Sequence, residues 1–412
     1  MEFIELANHF VVCGIKSGHS WVYLSHKPLL GLSQSIHRSK DNILANRSLF
    51  IKLYLIAAGA MVLYFSVPVV FQSVRPGAII ERNSSNKDLF ELVEQSANGQ
   101  SPEKDLALEE LKKNSSTSVP YLISLLNNFD PGVRHDAVWN LGYIGEPGKA
   151  AIPSLIPCLK DHNNIVRFNT AATLGLMGES AKAAVLSLIF NLKDSDSNTR
   201  SYAAEALGKM GDSGKVAIPQ IRLMLKDDSS SVRGSASRAL GLMGKDAQLA
   251  IPDLIPLLKD EKAFVRDTAA EALGKMGDAA KVAIPDLILL LKDSDEGSRS
   301  TAVVALGKIG EPAKVAIPDI IPMLKEPAAL TRSRAVVALG NIGNASKSAI
   351  PEIRLMLQDS ESYVRRNAIE TLGKIGEPAK IAIPDLIQLL NDPEPTVREE
   401  AIKTLKKLKY KP

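Results

Sequence analysis

The chain of 412 residues is 45% hydrophobic but only 5% aromatic, so its core must be built from Ala, Leu, Ile, Val and Met, as in packed helices rather than β-sandwiches. Two cysteines, Cys13 and Cys158, with no CxxC pair, exclude a disulfide framework and a zinc site. The net charge of +4 falls entirely within residues 1–85, where eight Lys/Arg face four Asp/Glu; residues 86–412 balance 42 against 42 and lack the field that draws in nucleic acid.

Taken in chain order, residues 1–48 show no readable periodicity and are expected to be a tail, either disordered or upstream of the start in use. The stretch "LYLIAAGAMVLYFSVPVVF", residues 53–71, runs for 19 residues without a charge, close to the ~20 needed to cross a bilayer. It predicts one transmembrane helix over 49–72. The rival reading is a secretory signal, against which no small-x-small cleavage site follows. Arg38, Lys40, Arg47 and Lys52 precede the stretch and Arg75, Arg82 and Lys87 follow it, a slight bias that places the N-terminus in the cytoplasm and the rest of the chain outside. Residues 73–85 read as a linker. "NKDLFELVEQ" and "SPEKDLALEELKKN", within 86–117, read as a degenerate helix pair that caps the segment from 118 onward.

From 118 to 412 the sequence repeats. "EALGKMG" stands at 205–211 and again at 271–277, "AIPDL" at 250–254, 283–287 and 382–386, and "LGKIG" at 306–310 and 372–376. All separations are multiples of 33. A proline recurs at 120, 153, 219, 252, 285, 318, 351 and 384, with Leu186 as the exception. An arginine recurs without exception, as Arg134, Arg167, Arg200, Arg233, Arg266, Arg299, Arg332, Arg365 and Arg398, giving nine units with no insertion or deletion. Within a unit, Ile317, Ile320, Ile321 and Leu324 form one apolar stripe, and Val265, Ala269, Ala272, Leu273 and Met276 another, so each unit is two helices around a polar turn. The proline either opens the first helix or kinks a longer one. Gly208 lies inside the second helix, where it marks close approach of a neighbour, and Gly211 falls at the helix end, where a left-handed cap favours glycine. No such unit buries its stripe alone, so the units must stack into one superhelix. The last unit reads "LKKLKYKP", a polar end.

The "AIPxLIxLLKD…VRxxAAxALGxIG" pattern resembles HEAT repeats, in particular the phycobilisome-lyase-type HEAT-like class. The resemblance implies an all-α fold, a right-handed superhelical α–α solenoid of about nine repeats with an armadillo-like architecture. It implies three functions: scaffold, chromophore-lyase subunit or metal-dependent hydroxylase. The hydroxylase branch uses His-Glu pairs, and none of the six histidines here is followed by Glu.

The residues themselves offer few catalytic or metal-binding candidates. "DSD" at 194–196 and 293–295 lacks the glycine and distal Glu of a calcium loop, no GxSxG or P-loop occurs, and Cys158 sits in an apolar helix context. No cofactor is expected. The recurrent arginine has an acidic residue six positions earlier, namely Asp161, Asp194, Asp227, Asp260, Asp293, Glu326, Asp359 and Asp392, with Asn128 in unit one. Its regularity favours a structural ladder, with the carboxylate capping a turn and bridging to arginine in its own or the next unit, over a partner-binding row. Arg332, Arg334, Arg365 and Arg366 offer at most a modest anionic-partner patch.

The variable positions say more. His135, Trp139 and Tyr143 share one helix face at i, i+4, i+8; Phe168 and Leu176 hold corresponding places in unit two, and Tyr202 a nearby one in unit three. They read either as a partner-binding cluster, on the concave side, or as a patch covered by the N-terminal helix pair. The sequence therefore predicts a non-enzymatic protein-interaction scaffold, anchored to a membrane by one helix. Handling of a bilin chromophore on a phycobiliprotein is the alternative.

Overall fold

The computed structural model describes residues 14–17, 20–23, 84–98 and 102–410. The chain divides into two units, 1–75 and 76–412. The first contains two four-residue strands, Gly14–Ser17 and Ser20–Tyr23, paired antiparallel with Gly14 opposite Tyr23 and Ser17 opposite Ser20. Both lie within 1–48, where the sequence shows no readable periodicity. The expected transmembrane helix at 49–72 lies outside the described residues.

The second unit is helical throughout its described length. It begins with Ser84–Asn98 and Glu103–Lys113, so the first helix starts two residues inside the expected linker. Nine helix pairs follow among the described residues. The second helices are Pro131–Tyr143, Asn164–Met177, Ser197–Lys209, Ser230–Met243, Ala263–Met276, Glu296–Ile309, Ala329–Ile342, Ser362–Ile375 and Pro395–Lys407, each packed on the one before.

The first helices are short, and proline explains their length. From the second repeat on, a 3-10 segment such as Glu311–Ala316 leads into a helix whose second residue is the recurrent proline, Pro318 in this case, or Leu186 in repeat three. Its missing N–H falls where no intrahelical partner exists. In the first repeat the helix reaches back to Ser115 and Pro120 lies inside it. A second proline, Pro157, Pro256 or Pro322, stops the α-helix after four residues; where Phe190, Leu223 or Leu289 replaces it, the helix runs for seven.

Glycine and alanine set the spacing of the second helices. A Cβ added to Gly208 would lie 2.8 Å from the Ala239 Cα, and one on Gly274 the same distance from the Ala305 Cα. Where threonine stands opposite the glycine, its hydroxyl donates to a carbonyl of the preceding second helix, as Thr371 does to Val336 at 3.0 Å. Each turn after a second helix from Gly145 to Gly376 is made by a glycine at positive φ, Gly211 at 57° among them. The buried side chains form one continuous core from Val93 to Leu408.

Among the described residues one stretch is long and apolar enough to cross a membrane, Asn164–Asn191. It is not a straight rod. Gly178 at φ 58° and Ala181 at φ −89°, ψ 19° divide it into the second helix of repeat two and the first helix of repeat three. Val166, Leu174 and Leu188 from this stretch are fully buried, so its apolar side is used in the solenoid core.

Candidate functional site

The arginines and carboxylates meet between consecutive repeats. Arg134 Nε and Nη2 each donate to Asp161 at 2.7 Å, and the same two-pronged contact joins Arg167 to Asp194, Arg200 to Asp227, Arg233 to Asp260, Arg332 to Asp359 and Arg365 to Asp392 at 2.7–3.0 Å. Arg299 grips Glu326 likewise at 3.0 and 3.2 Å. The remaining amine of each arginine donates to carbonyls of its own repeat, Arg233 Nη1 to Asp227 and Asp228 for instance. Each ladder aspartate also accepts the backbone N–H two residues on, Asp260 from Lys262 for example, closing the turn into the second helix.

Two rungs differ. Arg266 reaches Asp293 through Nη2 alone, at 2.8 Å, and its Nε has no acceptor among the described residues. Arg398, in the last repeat, donates only to the carbonyls of Asp392 and Pro393.

Burial pushes the carboxyls of Asp161, Asp227, Asp260 and Asp359 up, but the guanidinium and the backbone N–H outweigh it and hold them below the usual carboxylate range. At Asp392 the Arg365 guanidinium is the largest influence and the direction is the same. The ladder side chains are therefore turned toward one another and not toward solvent.

The variable residues on the second helices behave differently. Trp139 stacks on Tyr143 with ring centroids 4.2 Å apart, and Phe168 stacks across the repeat boundary on Tyr202 at 5.5 Å. The N-terminal helix Glu103–Lys113 brings the Lys104 ammonium to 4.3 Å from the Trp139 ring centroid, so one side of that ring meets the chain itself. Asn140, beside it, donates to the Val93 carbonyl in the helix Ser84–Asn98. His135 contacts the buried Asp136 through Nδ1 at 2.9 Å. Three apolar residues remain open: Tyr143 is 46% exposed, Leu176 52% and Tyr202 39%.

Sequence reasoning missed two neighbours of this face. Leu242, 44% exposed, holds the Leu176 position two repeats on, so the 33-residue register alone could have found it. Phe264, 45% exposed, lies over Gly234, where an added Cβ would meet its ring at 2.8 Å. Its signal was the absence of a side chain at 234, where repeats two and three carry Phe168 and Ser201.

Cys158 is buried, and burial pushes its thiol up to about 11. Its Sγ lies 3.6 Å from the Ser154 carbonyl. An unionised, enclosed thiol has no nucleophilic chemistry to offer.

Comparison with solved structures shows the same fold with little sequence in common. An engineered protein is matched over its whole length and 79% of this chain, with 21% identity and a TM-score of 0.53. A chain of a Kap95:Nup1 complex is matched with 14% identity and a TM-score of 0.56, and importin beta with 14% identity and a TM-score of 0.52. These two matches cover 80% and 78% of this chain but only 52% and 50% of the other. No curated protein matches the sequence. A family model described as HEAT repeats matches residues 119–191, 186–251, 218–284, 251–317 and 317–406. Those matches run through the stacked helix pairs with their arginine–carboxylate rungs, and the chain belongs to the HEAT-repeat family.

Proposed function

We propose that the chain is a membrane-anchored, non-enzymatic scaffold that holds a protein partner on the second-helix face of repeats one to three. The observation that carries this reading is the exposure of Tyr143, Leu176 and Tyr202, with Leu242 and Phe264 beside them, on one face of the second helices. The place of Tyr143 and Leu176 is taken by Lys275 in repeat five and Lys308 in repeat six, and that of Tyr202 by Thr268 and Thr301. Affinity in protein interfaces concentrates in a few aromatic anchors. Phe168 under Tyr202, and Trp139 under Tyr143, hold those anchors in place. His135 lies in the same register and adds a polar edge. Close helix packing and the arginine ladder keep the surface from rearranging, which limits the entropy lost on binding. Residues 49–72 supply the anchor, and the repeats lie outside the cytoplasm.

A photo-crosslinker at position 143 identifies the partner in intact membranes, and the Tyr202→Ala/Leu176→Ala variant then tests the face. Capture of that partner falls about tenfold or more while melting changes little, since both side chains are exposed. Unchanged capture by a folded variant overturns the binding face. Carbonate washing tests the anchor separately: the full chain stays with the membrane, and deletion of 49–72 releases it.

A further inference from the structure

The first helices present a separate surface, and in repeats two to four it has an unusual chemistry. Leu186, which stands where the other repeats carry proline, is 79% exposed. Phe190, one turn later, is 69% exposed, and Leu223, its counterpart in the next repeat, 72%.

Beside them runs a lysine at the end of the first helices of repeats two to seven. In repeats five and six this lysine is neutralised by an aspartate 27 residues on: Lys259 pairs with Asp286 at 2.8 Å and Lys292 with Asp319 at 3.1 Å. Earlier repeats lack that partner. Lys160 has Ser187 in the equivalent place, and Lys193 has Gln220. Lys226 has Asp253, but Arg222 holds that carboxylate at 2.7 Å. Lys160, Lys193 and Lys226 are exposed and make no ion pair among the described residues. Lys259 and Leu289 line one shallow cavity of about 220 Å³, so the 33-residue register sets Lys160 beside Phe190 and Lys193 beside Leu223.

We propose that this face rests on an anionic lipid surface, with Leu186, Phe190 and Leu223 entering the headgroup layer and the three lysines pairing with lipid phosphates. Protruding apolar side chains flanked by unpaired lysines fit a plane; a bound peptide would need a groove. Lysine stems lie along apolar surface while their ammonium groups stay with anions. The face stands on its own charge and exposure; the anchor proposed above adds proximity only.

The test places the full-length chain, in a Cys13→Ser background, in vesicles of phosphatidylcholine with or without phosphatidylserine. A solvatochromic dye is attached at Phe190→Cys; the buried Cys158 stays unlabelled. The expected result is a blue shift of emission with phosphatidylserine that is lost in Lys160→Gln/Lys193→Gln/Lys226→Gln and at raised salt. The same dye at Leu289→Cys, beside Asp286 and the neutralised Lys259, shows no such shift. Equal emission in both vesicles, or an equal shift at 289, overturns the proposal. So does a shift in detergent that grows with protein concentration, which would assign the face to a second copy of the chain. Carbonate washing of the same vesicles reports the anchor independently, so failure of one reading is distinguishable from failure of the other.

Discussion

At the scale of single residues, the repeat's two glycines do different physical work, and substitution separates them. A Cβ at Gly208 would meet the backbone of the next second helix, at 2.8 Å from the Ala239 Cα and 3.2 Å from its carbonyl oxygen. Gly208→Ala therefore forces two helices apart and is expected to cost about 1–3 kcal/mol in urea unfolding. Gly145 has φ 88° and nothing within 4 Å of an added Cβ, so Gly145→Ala is a matter of backbone strain, about 1–3 kcal/mol. Asparagine tells them apart. At φ 88°, ψ −137° Gly145 occupies a region open to glycine alone, so Gly145→Asn costs about the same as Gly145→Ala, whereas Gly208→Asn is worse than Gly208→Ala. The Cys158 thiol, pushed up to about 11, gives a second residue-scale expectation. In a Cys13→Ser background at pH 8, disulfide reagents react with the native chain roughly a hundredfold or more slowly than with the unfolded one.

At the scale of elements, the ladder ties each helix pair to the next. Removing Arg233 leaves Asp260 with its side chain 7% exposed and without its counter-ion. Arg233→Ala is expected to cost about 2 kcal/mol, the full buried-pair figure being reduced for the partial exposure of both groups. Arg398 grips no carboxylate among the described residues, and Arg398→Ala should cost about 1 kcal/mol. Urea midpoints of the two variants check the difference. The pH dependence has a fixed sign. Asp161, Asp227, Asp260, Asp359 and Asp392 all titrate lower folded than unfolded, so their contribution is complete above the unfolded carboxylate value of about 4 and is lost as pH falls through the folded values. Asp267, pushed up by burial, acts in the opposite sense. Melting followed downward from pH 5 should show progressive loss, smaller in Arg233→Ala, where one rung is already gone. The sequence showed which residues take part but not how they pair. With a period of 33, six residues before an arginine and 27 after it are the same column, and periodicity alone cannot choose between them.

At the scale of the whole molecule, the solenoid was legible because every unit repeats the same small-residue contacts, so one reading error could not survive nine tests. The rest was not legible for physical reasons. The strands Gly14–Ser17 and Ser20–Tyr23 are four residues each, too short for alternation to stand out. Whether the N-terminal helices would reach Trp139 depended on packing between elements that share no repeat register, and the Lys104 contact has no sequence signal. That the apolar Leu186, Phe190 and Leu223 face outward is shown by the fold alone. A stack of this kind is held by contacts between neighbours, so its stability should be graded along its length. The helix Ser230–Met243 has nine buried residues and a neighbour on each side; Pro395–Lys407 has four and a neighbour on one side only. Amide exchange should therefore be slowest in the second helices of repeats four to six and fastest in the last, with Pro395–Lys407 opening without the rest. Uniform protection from repeat one to repeat nine would mean instead that the rungs couple the array so tightly that it opens only as a whole. In that case Arg365→Ala, which cuts the rung to the last repeat, should speed exchange throughout the chain and not merely beyond residue 376.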